Sequence, residues 1–198
     1  MELSWLDADN DSQLIVDATF LINLLATDAA GSILSALPVN VIAVERAIAE
    51  VTRCPRDSMY FSGIPEVLAS EKNFSVQKLP VDASDLFVEL VSTPPTGLGD
   101  GEAATLSYAA QVDGIVATDD RRARAVAREK LPNLRLTYSI ELLLTPLVEK
   151  QLGHAGQVAA VYDALIYGRM RVPREFDRDV RQLIGPERAA NCSSLINR

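Results

Sequence analysis

Residues 13–26 read QLIVDATFLINLLA. Leu14-Ile15-Val16 is an apolar run too short for a helix, and it gives way to a charged Asp17 and then to the apolar-dense stretch Thr19–Ala26. A short apolar run predicts a strand buried on both faces, and the longer run after it predicts a helix. The same succession returns along the chain. Val39–Val44 predicts a strand leading into a helix through Val51. Ile115–Thr118 predicts a strand ending at Asp119-Asp120, followed by a basic helix over Arg121–Lys130. Leu134–Tyr138 predicts a further strand and Ile140–Gln151 a helix. Strands alternating with helices imply parallel pairing, so the expected class is α/β: a three-layer α/β/α sandwich around a central parallel sheet.

The intervening stretches carry turn signals. Arg53–Pro80, with Pro55, Gly63 and Pro65, predicts loops around one short helix near Ile64–Lys72. Asp82–Val91 predicts a helix stopped by Pro94-Pro95. Gly97-Leu98-Gly99-Asp100 predicts a turn into a helix through Ala110, with Asp100 as its N-cap. From Val158 the pattern is helical, broken near Gly168 and Pro173, and it closes in a polar tail expected to be disordered. The expected organisation is one main domain over residues 1–150, with a C-terminal helical extension and polar tail over 151–198.

Composition narrows the function classes. No apolar run reaches the roughly 18 residues that suggest a membrane span, and the N-terminus lacks a basic, apolar, small-residue-cleaved leader. A soluble, cytoplasmic protein without membrane contact is the expectation. Cys54 and Cys192 are far apart in no ligand-like spacing, which argues against a disulfide framework or a thiolate zinc site. The net charge of −8 divides unevenly: residues 1–120 carry 19 acidic and 5 basic side chains, residues 121–198 carry 8 acidic and 14 basic. An acidic site facing a basic rim could hold metal ions and phosphates together.

In an open parallel sheet, ligands bind in the crevice at the C-terminal ends of the strands. Asp17 and the Asp119-Asp120 pair stand at such ends, Glu102 falls in the first turn of a helix, and Glu50 lies near the end of another. Glu45 and Glu50 are five apart, so only one can serve the same site. Carboxylates gathered closely repel unless protonated or bridged by a cation. Mg²⁺ and Mn²⁺ suit such oxygen ligands, activate water and stabilise a phosphoryl transition state. The single histidine, His154, lies outside the set, and neither GxxxxGK[ST] nor GxGxxG occurs, which leaves histidine acid–base chemistry and phosphate-loop folds unsupported.

Four stretches in order resemble the motifs of PIN-domain proteins. Ile15-Val16-Asp17-Ala18-Thr19 is similar to the first, Val44–Val51 (VERAIAEV) to the second with its acid at Glu50, Gly99–Ala104 (GDGEAA) to the third with Glu102, and Ala117–Arg124 (ATDDRRAR) to the fourth. The resemblance covers roughly residues 13–145 and implies that the main domain has a Mg²⁺- or Mn²⁺-dependent ribonuclease fold, often the toxin of a toxin–antitoxin pair. It implies Asp17, Glu50, Glu102 and Asp120 as catalytic acids and Asp17, Glu102, Asp119 and Asp120 as metal ligands, with Thr19 and Thr118 as hydroxyls at the substrate. Gly168–Pro173 (GRMRVP) resembles the tail of a longer subgroup. An antitoxin-like protein and a second copy of the chain are the protein partners compatible with this reading, and a non-catalytic RNA- or protein-binding module is its rival.

The basic helix bears on the substrate. Arg121, Arg124 and Arg128 are spaced to share a face that could hold phosphates of single-stranded RNA, or form a solvated surface. Arg169, Arg171, Arg174, Arg178 and Arg181 make a second basic region with the same two readings. Few aromatic residues interleave with either, so no base-stacking platform is evident.

Overall fold

The computed structural model describes residues 13–92 and 97–196. Its short apolar runs form five strands: β1 (Gln13–Val16), β2 (Asn40–Val44), β3 (Phe74–Gln77), β4 (Ile115–Ala117) and β5 (Arg135–Thr137). Every pairing is parallel, in the order β3-β2-β1-β4-β5. Because side chains alternate across a strand, consecutive residues enter different cores. Leu14 and Val16 of β1, with Val41, Ala43, Ile115 and Ala117, join one apolar cluster. Ile15, Ile42, Val44 and Val116 join the other. Helices Ala18–Ala26, Ala30–Ala36 and Pro146–Ile166 cover the first face, and Ser84–Ser92, Asp100–Val112 and Arg121–Lys130 the second. This is the expected α/β sandwich with a parallel sheet.

Three local expectations change. The stretch expected to be loops around one helix contains β3 as well as the helix Glu66–Ala69; β3 pairs with β2 along Val41↔Phe74 to Val44↔Gln77. The expected helix Ile140–Gln151 is two helices, Ser139–Leu143 and Pro146–Ile166, because Thr145 caps the second through Val148 N and Pro146 takes its first position. The closing segment is ordered through short helices Asp177–Ile184, Pro186–Ala190 and Ser193–Ile196. Val180, Ile184, Ala189, Cys192 and Leu195 from it are buried in the first cluster, and that burial overrides its polar composition. The expected stop at Pro94-Pro95 lies outside the described residues.

The boundary expected at residue 150 falls inside the helix Pro146–Ile166, whose Ala160, Val161 and Ala164 share a cluster with β1. Gly153, at φ +70° and ψ 163°, is non-helical and kinks that segment, so two helical stretches meet there. Cys54 and Cys192 are both free thiols. Among the described residues, no single helix is long and apolar enough to cross a membrane.

Candidate active site

The sheet order reverses direction of growth at β1: the chain moves outward through β2 and β3, then returns to the other side of β1 with β4 and β5. The crevice at the carboxyl ends of β1 and β4 is therefore the topological switch point, where open parallel sheets bind ligands. Register places Val16 opposite Ala117. Asp17 and Thr118, each one residue further on, meet there.

Asp17 is only 2% exposed. Its carboxylate caps the helix Ala18–Ala26 by accepting from Phe20 N at 2.7 Å, and it accepts from Thr19 Oγ1 at 2.8 Å and from Thr118 Oγ1. Burial pushes its pKa up to about 7; the hydrogen bonds from Thr118, Phe20 and Thr19 oppose the rise and the charge of Asp119 adds to it. Thr19 and Thr118, expected at the substrate, thus have hydroxyls engaged with Asp17. Thr19 Oγ1 also accepts from Asp119 N at 3.3 Å, and Thr118 Oγ1 from Asp120 N at 3.2 Å. The two threonines lace the first and fourth motifs together.

The acid pair divides its work. Asp120 caps Arg121–Lys130, its Oδ1 accepting from Arg122 N and Ala123 N at 2.8 and 2.9 Å. Asp119, 6% exposed, accepts from Asn23 Nδ2 at 2.6 Å and from Ser139 N at 2.9 Å. Burial raises its pKa, against the hydrogen bonds from Ser139 and Asn23 and the charge of Arg124. Both oxygens of Asp119 accept from internal donors, so the carboxylate ties β4 to two helices. Asn23 escaped the sequence reading; its place one turn and a half beyond Asp17, as an amide within TFLINLLA, was the available signal.

Glu102 sits in the first turn of Asp100–Val112, where its Oε2 accepts from Gly99 N at 3.1 Å. Its pKa is raised by burial, then by the negative charge of Asp120, and further by that of Glu50. Glu50 ends the helix Glu45–Glu50, and its Oε1 accepts from Gly101 N at 2.9 Å. Gly101 explains its motif: a Cβ there would stand 2.5 Å from Glu50 Oε1. Asp100 is not the cap. The helix begins at Asp100 itself after Gly99, and the Asp100 carboxylate pairs with Arg46 at 2.9 Å.

Arg124 departs most from expectation. It is 5% exposed, and its guanidinium donates to the carbonyls of Thr118 and Thr137 at 3.0 and 2.7 Å while lying 3.3 Å over the Tyr138 ring. The Thr118 carbonyl lies just past β4 and the Thr137 carbonyl ends β5, at the margin of the sheet's hydrogen-bond ladder. A buried arginine that satisfies two strand ends is not free to hold a phosphate. Arg121 and Arg128 are exposed, as expected.

A family model described as a PIN domain matches residues 13–186. The chain belongs to the PIN-domain family. The match runs through Pro146–Ile166 and into the C-terminal arm (residues 167–196) as far as residue 186, and no curated protein and no solved structure matches the chain. PIN domains are generally nucleases that use divalent metals. Here, among the described residues, no three acid, histidine or cysteine side chains stand close enough to cage an ion unaided. The donor set nevertheless fits a hard cation: it is all oxygen, and the charges of Asp120 and Glu50 raise Glu102, a conflict that a cation would relieve.

Proposed function

We propose that this PIN domain is a Mg²⁺- or Mn²⁺-dependent endoribonuclease acting on single-stranded RNA. The observation that carries the reading is that Glu102, raised by burial and then by the charges of Asp120 and Glu50, shares the switch-point end of the sheet with Asp17, which Thr118 ties to Asp120. Asp17, Glu102 and Asp120 would hold the ion, and Glu50 would complete the site or position the attacking water. A divalent ion there supplies Lewis-acid stabilisation of the phosphoryl oxygens and lowers the pKa of water.

The remaining work belongs to the protein. Thr19 and Thr118 fix the Asp17 carboxylate so that it need not reorganise when charge develops. Gly101 N orients Glu50, and Gly99 N orients Glu102. Asp119 locks β4 against the helix that follows β1, through Asn23. Such outer hydrogen bonds tune the groups they hold.

The test is cleavage of single-stranded RNA with Mn²⁺ by the wild type and by Glu102→Gln, alongside melting curves of both. Cleavage that is lost in a fully folded variant supports the reading. Undiminished cleavage by that variant removes Glu102 from the site, and a wild type that binds RNA with either ion but never cuts it makes the protein a binding module.

A further inference from the structure

Beside the carboxylates the surface turns cationic, and the turn after Pro146–Ile166 makes it so. At Gly168 a Cβ would stand 2.7 Å from both the Ala164 carbonyl oxygen and Asn23 Oδ1, so only glycine lets the turn close onto the helix that carries Asn23. Arg169 follows at φ +55°, a left-handed conformation that side-chain-bearing residues seldom adopt. The closed turn leaves a cavity of about 200 Å³ between the acids and the arm, with Asp119 and Asp120 on one wall and Arg169 and Arg171 on the other. Arg171 also faces outward into a second cavity of about 460 Å³, shared with Arg121, Arg174, Ser193 and Ser194.

This second cavity falls in the size range of ligand pockets, about 300–1,000 Å³. Its three arginines are exposed, and among the described residues none of them pairs with a carboxylate. Arginines elsewhere in the fold do pair, as Arg46 does with Asp100, Arg56 with Asp163 and Arg181 with Asp177. Ser194 Oγ is shielded from solvent and has no hydrogen-bond partner among the described residues. Three guanidinium groups without a carboxylate partner among the described residues, around one concavity, match an oxyanion with several acceptor oxygens, and arginine is the side chain best shaped to bind one.

We infer that the cleft of Arg121, Arg171 and Arg174 binds the backbone phosphate neighbouring the scissile one, so that the substrate is a strand continuing past the cut and not a single linkage. The inference rests on the nuclease reading for the identity of the anion. The two cavities share Arg171, so a strand whose scissile phosphate lies at the acids leads directly into the arginine cleft. Arg121 joins the helix capped by Asp120 to this cleft, which fixes the subsite relative to the acids.

The experiment measures binding of a short single-stranded oligoribonucleotide in chelator as a function of salt, for wild type, R171A/R174A and R171K/R174K. Neither arginine has an internal partner among the described residues, so both variants should fold as the wild type does. The salt slope should fall by roughly 0.7 in the alanine pair, for the one phosphate no longer neutralised, and be retained in the lysine pair. With Mn²⁺, the wild type should cut the oligonucleotide faster than a dinucleotide, and the alanine pair should lose that preference. If the wild type cuts nothing but the slope still falls, the nuclease reading fails and the phosphate subsite stands. If cutting persists with the slope and the length preference both unchanged in the alanine pair, the subsite is wrong and the nuclease reading stands. Weakened binding of poly-glutamate by the alanine pair, with RNA binding intact, would likewise overturn the subsite in favour of an acidic protein partner.

Discussion

Replacing Asp17 by Asn should stabilise the metal-free protein at alkaline pH, and the size of the effect follows from burial. The carboxyl moves from an ordinary 3.8 to about 7 on folding. The folded state therefore binds a proton that the unfolded state does not between pH of about 4 and about 7, so wild-type stability falls as pH rises through that window. Below it the raised pKa costs nothing; above it the full penalty applies. About three pKa units at 1.36 kcal/mol each give a ceiling near 4 kcal/mol. The amide keeps an oxygen for Phe20 N but replaces the other, which accepts from Thr118, with a donor, a mismatch of about 1–2 kcal/mol. The variant should thus gain on the order of 2 kcal/mol at pH 8 in chelator and close to nothing at pH 5. Mn²⁺ should reverse the ranking, since an ion at about 100 times its dissociation constant adds on the order of 2.7 kcal/mol to whichever protein binds it. Denaturant titrations at both pH values, with chelator and with Mn²⁺, measure all four quantities. A variant less stable by about 1 kcal/mol at both pH values, with a metal response equal to that of wild type, would mean that Asp17 is only a helix cap.

Two further substitutions separate site from scaffold. Gly101→Ala places a Cβ against the far end of the Glu50 side chain, which can swing away; the melting temperature should stay near wild type while cleavage, read in initial rates, falls about 10- to 100-fold, as for loss of an orienting hydrogen bond. Arg124→Ala strips a donor from two buried strand-end carbonyls and should destabilise by about 2–4 kcal/mol in chemical unfolding, whereas loss of RNA binding in a variant of wild-type stability would restore Arg124 to the substrate face.

Three of the five strands, β1, β2 and β4, are legible in the sequence because they are buried on both faces, which leaves unbroken apolar runs such as Leu14–Val16 and Ile115–Ala117; the edge strand β5, with Thr137 alone buried, is legible from the apolar residues of Leu134–Tyr138 around it. β3 is not. It lies at the sheet edge with Phe74 alone buried, and four residues reading FSVQ between turn signals look like loop. The order and position of the motif acids are legible, and so is the expectation that one of Asp119 and Asp120 caps the basic helix, but not that it is Asp120. The division between the two depends on Asn23 and Ser139, which lie 96 and 20 residues from Asp119 in the chain. Arg124 misled for a related reason: helical spacing puts it in line with Arg121 and Arg128, but its partners are carbonyls at the ends of two strands, and a helical face is polar or buried according to what the sheet presents to it.

The C-terminal arm illustrates how far the site extends beyond its acids. Phe176 packs edge-on to Tyr138, with ring centroids 6.1 Å apart at 71°. Tyr138 in turn underlies the Arg124 guanidinium, which holds the Thr118 carbonyl, while the Thr118 hydroxyl holds Asp17. A continuous series of contacts thus runs from the arm to the buried acid at the switch point. The arm also closes the cavity beside Asp120 through Gly168, brings Arg171 to its rim and places Arg174 in the neighbouring cleft. Packing and charge therefore arrive together: the segment that stiffens the end of β4 is the one that carries the unpaired arginines. If the substrate is a strand running past the acids, as proposed, its affinity and the rigidity of Asp17 depend on one structural unit, and weakening the Tyr138–Phe176 contact should loosen both.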